Sequence, residues 1–320
     1  MCSGTEAYRA RDSAARDGME DSSKLALALK VGSLIAYAFQ LRQDVIARNL
    51  AYARSCGLPH VCGYGASGVV VYEPCEKTHG NFLNASYRAI RQNPDWSRRL
   101  GKVHPSAGQC LPKADHRWRE LDACTSSDAL LMNVFCHPRT LNKPALLSML
   151  NLQVGESPIF GFRARVPLAN GRADRTEIDM KLGHLVVESK LTESDFQTGG
   201  VEAVESYRDL HQVFDRNMLP QVRGQYVSYQ LIRNVLAAHA FGLSLCVLLD
   251  ARRPDLVEAW YAIMRCVKAS ELRTRCQVLT WQELSRTLPG TLQRFLQDKY
   301  GIEPWRGFGM HSLTHPPIES

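Results

Sequence analysis

Thr176-Glu-Ile-Asp-Met-Lys-Leu-Gly-His-Leu-Val-Val-Glu-Ser-Lys-Leu191 lies in the middle of the chain and reads as two apolar strands joined by a tight turn at Gly183-His184. Leu185, Val186 and Val187 form the short apolar run typical of a buried strand. The run ends in Glu188-Ser189-Lys190. Side chains in a strand repeat every two residues, so Glu188 and Lys190 share a face. The turn brings Asp179, on the preceding strand, back towards Glu188. Two carboxylates and one ammonium at the end of a hairpin can hold a hard divalent cation with a water beside it, which is hydrolytic chemistry.

The elements around this hairpin have a definite order. Ser126-Ser127 reads as a helix N-cap before the mostly apolar run Asp128 to Phe135. Ile159 to Val166 reads as a strand with Phe160, Phe162, Ala164 and Val166 on one face. Glu177 to Leu182 and Leu185 to Leu191 are the next two strands. Gln221 to Phe241 is expected to be one long helix stopped by Gly242. Leu243 to Leu249 is a further apolar strand. Helix, three strands, helix and strand make an α/β core with a mixed central sheet flanked by helices.

Asp179, Glu188 and Lys190 in this αβββαβ context resemble the PD-(D/E)XK nuclease superfamily, with Ile178 in the place of its usual proline. The runs Lys77-Thr-His-Gly-Asn-Phe82, Ser126 to Asn133, Glu188 to Glu193 and Tyr229-Gln-Leu-Ile-Arg-Asn234 resemble a bacterial restriction-endonuclease-like subgroup over roughly residues 70 to 290. The resemblance implies a restriction-endonuclease-like fold and a Mg2+-dependent nuclease, with Mn2+ able to substitute. Asp179, Glu188 and the backbone carbonyl of Ser189 would ligate the ion. Lys190 would orient the attacking water or offset charge at the phosphorus.

Further candidates follow from position. Glu177 shares the strand face of Asp179 and stands either at the edge of the site or at a second ion. Asp128, Asn133 and Glu156 are alternatives for the accessory acid that the superfamily often carries on its first helix. On the expected long helix, Gln225 and Tyr229 are one turn apart, as are Gln230 and Asn234. One pair should face the site, and the match of Tyr229 to Asn234 with the subgroup favours Gln230. Arg233 is a candidate for the DNA backbone.

Composition bounds the rest. Apolar residues make up 45% of the 320, so the chain is globular and large enough for a substantial core. Its 39 Lys and Arg against 32 Asp and Glu leave a formal charge of +7, which favours an anionic partner. Arg88, Arg91, Arg98, Arg99, Lys102, Lys113, Arg117 and Arg119 crowd one segment with Tyr87, Trp96 and Trp118 between them. That segment either tracks a phosphate backbone or is a solvated face over core aromatics. The start lacks a basic and apolar leader, and Lys30, Gln40, Arg42, Gln43 and Asp44 break the apolar stretch from Leu25 to Leu50, so no membrane span is expected. Ten cysteines without such a leader suit free thiols in the cytoplasm. Cys56, His60, Cys62, Cys75 and His79 lie close together, but their spacing is poor for zinc, and a structural Zn2+ is disfavoured.

The expected organisation is a disordered tail at 1–22, a mostly helical N-terminal region at 23–125 that can contact nucleic acid, the nuclease core with C-terminal helices at 126–306, and a disordered tail at 307–320. Pro254 should open a helix, Gln277 to Thr280 should form an edge strand, and Trp281 to Tyr300 should be helical in two pieces around Pro289-Gly290. The functional expectation is hydrolysis of DNA phosphodiesters in bacterial defence or DNA repair, with RNA left open and a homodimer favoured if both strands are cut. The competing reading is a nuclease fold that has lost turnover and binds nucleic acid or a protein.

Overall fold

The structure, a computed structural model, describes residues 36–63, 68–103 and 119–304. The expected tails at 1–22 and 307–320 therefore lie outside the described residues, as do most of the glycine-rich loop after Gly63 and Lys113, Arg117 and Trp118. A first helix, α1, covers 36–55. A small antiparallel hairpin follows, β1 (His60–Cys62) and β2 (Val70–Tyr72). Next come α2 (Asn84–Gln92) and α3 (Pro94–Arg99). Pro94 separates these two helices, and the Asn93 side chain caps α3 by accepting from the amides of Asp95 and Trp96.

The core opens with α4 (Ser127–Phe135), capped as the sequence suggests: Ser126 Oγ accepts from Ala129 N at 3.1 Å. Helix α5 (Pro144–Leu150) follows, then β3 (Ile159–Arg163), the short ribbon β4 (Val166–Pro167) with β5 (Ala173–Asp174), and the hairpin β6 (Glu177–Leu182) with β7 (Leu185–Ser189). The segment Thr192–Pro220 is an insertion carrying β8 (Thr198–Gly200), which joins β9 (Gln221–Val222) and β10 (Gln225–Val227) in a separate small sheet. After α6 (Tyr229–Ala240) come β11 (Ser244–Leu249), α7 (Pro254–Met264), β12 (Cys276–Thr280), α8 (Trp281–Ser285) and α9 (Gly290–Tyr300).

The main sheet runs β12-β11-β7-β6-β3. Strands β7, β11 and β12 are parallel, while β6 is antiparallel to both its neighbours. Each parallel step needs a crossover, which α6 and α7 supply. Burial follows from that layering. Strand β7 is buried throughout, whereas β6 alternates. Val186, Leu245, Val247 and Leu249 pack against Leu231, Ile232 and Val235 of α6 and Trp260 of α7. Leu185, Val187, Cys246 and Leu248 pack on the opposite layer with Leu130 and Val134 of α4, Trp281 of α8 and Phe295 of α9. Among the described residues no helix is long and apolar enough to cross a membrane.

Two expectations change. The helix expected from Gln221 begins only at Tyr229, because Gln221–Val227 folds into β9 and β10 around Gly224, whose φ is +72°. Ser228 (φ +60°) turns the chain into α6, and the carbonyls of Gln197 and Phe196 accept from the amides of Tyr229 and Gln230. The insertion thereby caps the helix that Ser228 leaves uncapped. Secondly, the strand expected from Ile159 to Val166 ends at Arg163, and its alternate side chains do not share a face. Phe160 packs with the α4 and α9 layer, whereas Phe162, Ala164 and Val166 join the α6 layer.

Candidate active site

The change of face in β3 has a counterpart in β6. Ile178 packs with the α6 layer, while Met180 and Leu182 pack on the other. Both strands therefore change face at one level, between the registered pairs Phe160–Met180 and Phe162–Ile178, where Gly161 and Asp179 stand. Gly161 has φ +65°, a backbone region that glycine enters without the steric cost other residues incur. The ladder between β6 and β7 ends at Met180 and Val187, so the hairpin forks immediately above the next position, Asp179 and Glu188. In place of a backbone rung, Asp179 Oδ2 accepts from the Ser189 amide at 2.7 Å. The fork thus follows from one glycine, one change of face and one carboxylate taking over a ladder bond.

Glu188 and Lys190 are 1% and 5% exposed, and they form a close pair, Nζ to Oε1 2.9 Å. Every other polar atom in the pair is also directed. Asn234 of α6 donates Nδ2 to Glu188 Oε2 at 2.8 Å, and Lys190 Nζ donates to Gln230 Oε1 at 2.7 Å. The ammonium lies 5.5 Å from the centroid of the Phe196 ring, and Trp281 Nε1 donates to the Lys190 carbonyl. A buried ion pair contributes little net stability, because desolvation offsets the attraction, but removing one partner costs about 3–5 kcal/mol. Its effect here is to fix position.

Burial drives the Asp179 carboxyl well above the usual carboxylate range, and the charges of Glu188 and Asp128 add to the shift; Lys190 and the Ser189 N–H pull it back. Burial works against the Lys190 charge, but Glu188, Glu193 and Asp179 outweigh it and hold the ammonium above the ordinary lysine range. Lys190 therefore keeps its charge and its hydrogen-bond-donor character at neutral pH.

A second group of charges reaches the fork from the N-terminal helices. Arg99 at the end of α3 donates Nη2 to Asp128 Oδ2 at 2.6 Å and Nη1 to Glu177 Oε2 at 3.1 Å. Lys102 Nζ also donates to Asp128 Oδ2, at 2.8 Å. The guanidinium occupies the space that a Gly161 side chain would fill: a Cβ built there would lie 2.2 Å from Arg99 Nη1. Of the basic segment, then, Arg99 and Lys102 turn inward onto acids. Trp96 donates Nε1 to the Pro158 carbonyl and packs edge-on against Phe160, and Tyr87 is buried.

The candidates on α6 separate. Gln230 and Asn234 meet Lys190 and Glu188. Gln225 does not lie on the helix at all; it is exposed on β10, where its Oε1 accepts from Thr198 Oγ1 at 3.0 Å. The expected one-turn spacing of Gln225 and Tyr229 is thus broken by the turn at Ser228. Tyr229 shares a hydroxyl bond of 2.8 Å with Tyr207, which donates to Asp174, and so ties the insertion to the β4–β5 ribbon. Arg233 is 3% exposed; its Nη2 donates to the Glu177 carbonyl and to Asn234 Oδ1, so it orients the asparagine that holds Glu188. Asn133 braces the backbone of Asn81 and Leu83, and the Glu156 carboxylate lies over Gly183 at the turn, the far end of the hairpin. Asp128 is the acid that α4 brings near Asp179. Its long-range partners Arg99 and Lys102 stood out in the sequence only as part of the basic segment, with no sign of their pairing to Asp128.

The donor set suits a hard cation. Burial first, and then the charges of Glu188 and Asp128, raise the Asp179 carboxyl, and a divalent ion bound there would offset that charge. Among the described residues no three His, Cys, Asp or Glu side chains form a cage, so a third protein ligand would be a backbone carbonyl, for which Ser189 stands between Glu188 and Lys190 in sequence with its amide bonded to Asp179. Cys56, Cys62 and Cys75 are exposed at separate positions, and His79 is committed to Asp122 Oδ1 at 3.0 Å.

A family model described as "Restriction Endonuclease associating with ARP" matches residues 60–301. No curated protein and no solved structure matches the chain.

Proposed function

The chain belongs to the family of restriction endonucleases associating with ARP, and we propose that it is a divalent-metal-dependent endonuclease hydrolysing the phosphodiester bonds of DNA. The observation that carries this is the meeting of Asp179, Glu188 and Lys190 at one fork, with Gln230 and Asn234 holding the latter two. Asp179, Glu188 and the Ser189 carbonyl would hold Mg2+, or Mn2+ in its place. Bound there, the ion supplies a lowered pKa for its water and offsets charge on the phosphate.

The chain's own groups do the rest. Lys190 keeps its proton, so it can donate a hydrogen bond to the attacking water or to a phosphate oxygen as charge builds there. Gln230 accepts from Lys190 through Oε1, which leaves its amide hydrogens to face water or phosphate. Asn234, steadied by Arg233, presents one Glu188 oxygen to Lys190 and keeps the other in place. Asp128 stands as the accessory acid beside Asp179, with Arg99 and Lys102 balancing its charge.

A chain with one such fork cuts one strand at a time, so cleavage of both strands calls for two copies. A cytoplasmic role in bacterial defence or DNA repair fits this reading, and the family description adds ARP as a companion. The test is plasmid DNA incubated with the protein and Mg2+, alongside Asp179→Ala and Lys190→Ala. Wild type should nick or linearise the plasmid and both variants should lose that activity. Equal inertness of all three across several DNA substrates, or equal activity of all three, would overturn the proposal.

A further inference from the structure

The run Lys77-Thr-His-Gly-Asn-Phe82 takes no part in the fork, yet its His79 lines a cavity of about 370 Å3 on the other side of the α3 segment. His79, Asp122, Tyr87 and Leu100 line it, with Arg91 and Arg119 exposed around its rim. Ser97, Leu100 and Gly101 face this cavity, while Arg99 and Lys102 in the same stretch reach Asp128. Cavity and fork are therefore back to back across one turn of chain.

The lining has the chemistry of a small built site. His79 accepts the Asn81 N–H on Nδ1, so its Nε2 carries the proton donated to Asp122. That buried pair fixes one polar wall. Tyr87 is 2% exposed, its ring is held against Phe82 and His79, and its hydroxyl has no hydrogen-bond partner among the described residues. Tyr87 lines the cavity, and its hydroxyl is not one of the sealed-off polar atoms of the core, so it is the part of this otherwise buried side chain free to meet a ligand. Arg91 and Arg119 have no acidic partner among the described residues, although Glu76 also lies on the lining. The volume is at the low end of small-molecule sites, about 300–1,000 Å3, and suits one nucleotide unit rather than a duplex.

We propose that this cavity receives a single nucleobase turned out of the DNA strand, with the Tyr87 hydroxyl hydrogen-bonding the base and Arg91 and Arg119 taking the flanking phosphates. A polar floor with a cationic rim can hydrogen-bond the edge of one unstacked base and hold its flanking phosphates. The inference rests on the nuclease reading and adds a place where sequence or strand structure is sensed.

The experiment uses the full chain carrying Asp179→Ala, so that DNA is bound and not cut. Short DNA duplexes carry 2-aminopurine at one position at a time. One position should change its fluorescence about twofold or more on binding while its neighbours stay silent, and Tyr87→Phe should reduce that change. Tyr87→Phe should melt like its parent, since the hydroxyl has no partner to lose. Arg91→Gln and Arg119→Gln should each flatten the dependence of log K on log salt by about 0.7–0.9. If the unmodified chain cuts DNA but every probe position is silent, this proposal fails and the nuclease reading stands. If the chain neither cuts nor binds DNA, both fail. A report that survives Tyr87→Phe, or an unaltered salt slope, places the base elsewhere, and binding of a protein at these residues with no DNA response marks the cavity as a partner's seat instead; each overturns the proposal.

Discussion

Gly161→Ala tests how the fork is assembled. The added methyl meets two obstacles. The backbone at Gly161 has φ +65°, which costs a non-glycine residue about 1–2 kcal/mol. The Cβ would also lie 2.2 Å from Arg99 Nη1 and 2.9 Å from its Cζ, closer than real contacts allow. Arg99 must then withdraw, giving up bonds of 3.1 Å to Glu177 and 2.6 Å to Asp128. Asp128 keeps Lys102, so it is not left without a cation. Losing the charge-assisted bonds of a side chain only 14% exposed costs roughly 1.5–3 kcal/mol. The total is roughly 2.5–5 kcal/mol. Urea unfolding of wild type, Gly161→Ala, Arg99→Ala and the double variant resolves the parts. In the Arg99→Ala background the glycine substitution should cost only the backbone term, leaving a coupling of about 1.5–3 kcal/mol between the sites. A coupling below about 0.5 kcal/mol would mean that Gly161 is not there to admit the guanidinium, and the reasoning would fail.

Three further outcomes are expected. Folded Asp179 titrates above its unfolded value, so its contribution to stability is intact below the unfolded pKa of about 4 and is lost as pH rises through the folded one. Without metal, Asp179→Asn should therefore melt higher than wild type near neutral pH, the gap closing as pH falls; added Mg2+ should raise the melting point of wild type and not of the variant. Asn234→Ala removes the 2.8 Å bond to a buried Glu188 oxygen and should weaken Mn2+ binding by about 10–100-fold in a calorimetric titration, while Gln225→Ala, on the exposed β10 strand, should leave it unchanged. Lys190→Met strands the Glu188 carboxylate in the core, so it should destabilise by about 3–5 kcal/mol in denaturant as well as abolish cleavage, whereas Lys190→Arg should recover more of the stability than of the cleavage.

Local periodicity carried much of this architecture. The alternation of β6, the unbroken burial of β7, the Ser126 cap and the two-piece C-terminal helix are all short-range features, and each is readable from spacing. Asp179 and Glu188 were legible for the same reason, because a hairpin with a tight turn brings residues nine apart together. What escaped depends on distant chain. Residues 221–227 have a composition compatible with helix and became strands only because β8, more than twenty residues earlier, pairs with β10. The change of face at Gly161 needed a positive φ that sequence does not display. Arg99 and Lys102 looked like part of a solvated or nucleic-acid-facing segment until folding set them against Asp128, some thirty residues on. Arg233 invited a phosphate contact for the same reason, since its burial beneath the strand carbonyls is a tertiary fact.

The most direct test of the account is anomalous diffraction from crystals soaked in Mn2+. The account expects a peak at the mouth of the hairpin, within about 2.1–2.3 Å of an Asp179 oxygen, a Glu188 oxygen and the Ser189 carbonyl, and no such peak in Asp179→Ala. A peak confined to other residues, or one that survives the loss of Asp179, would contradict it.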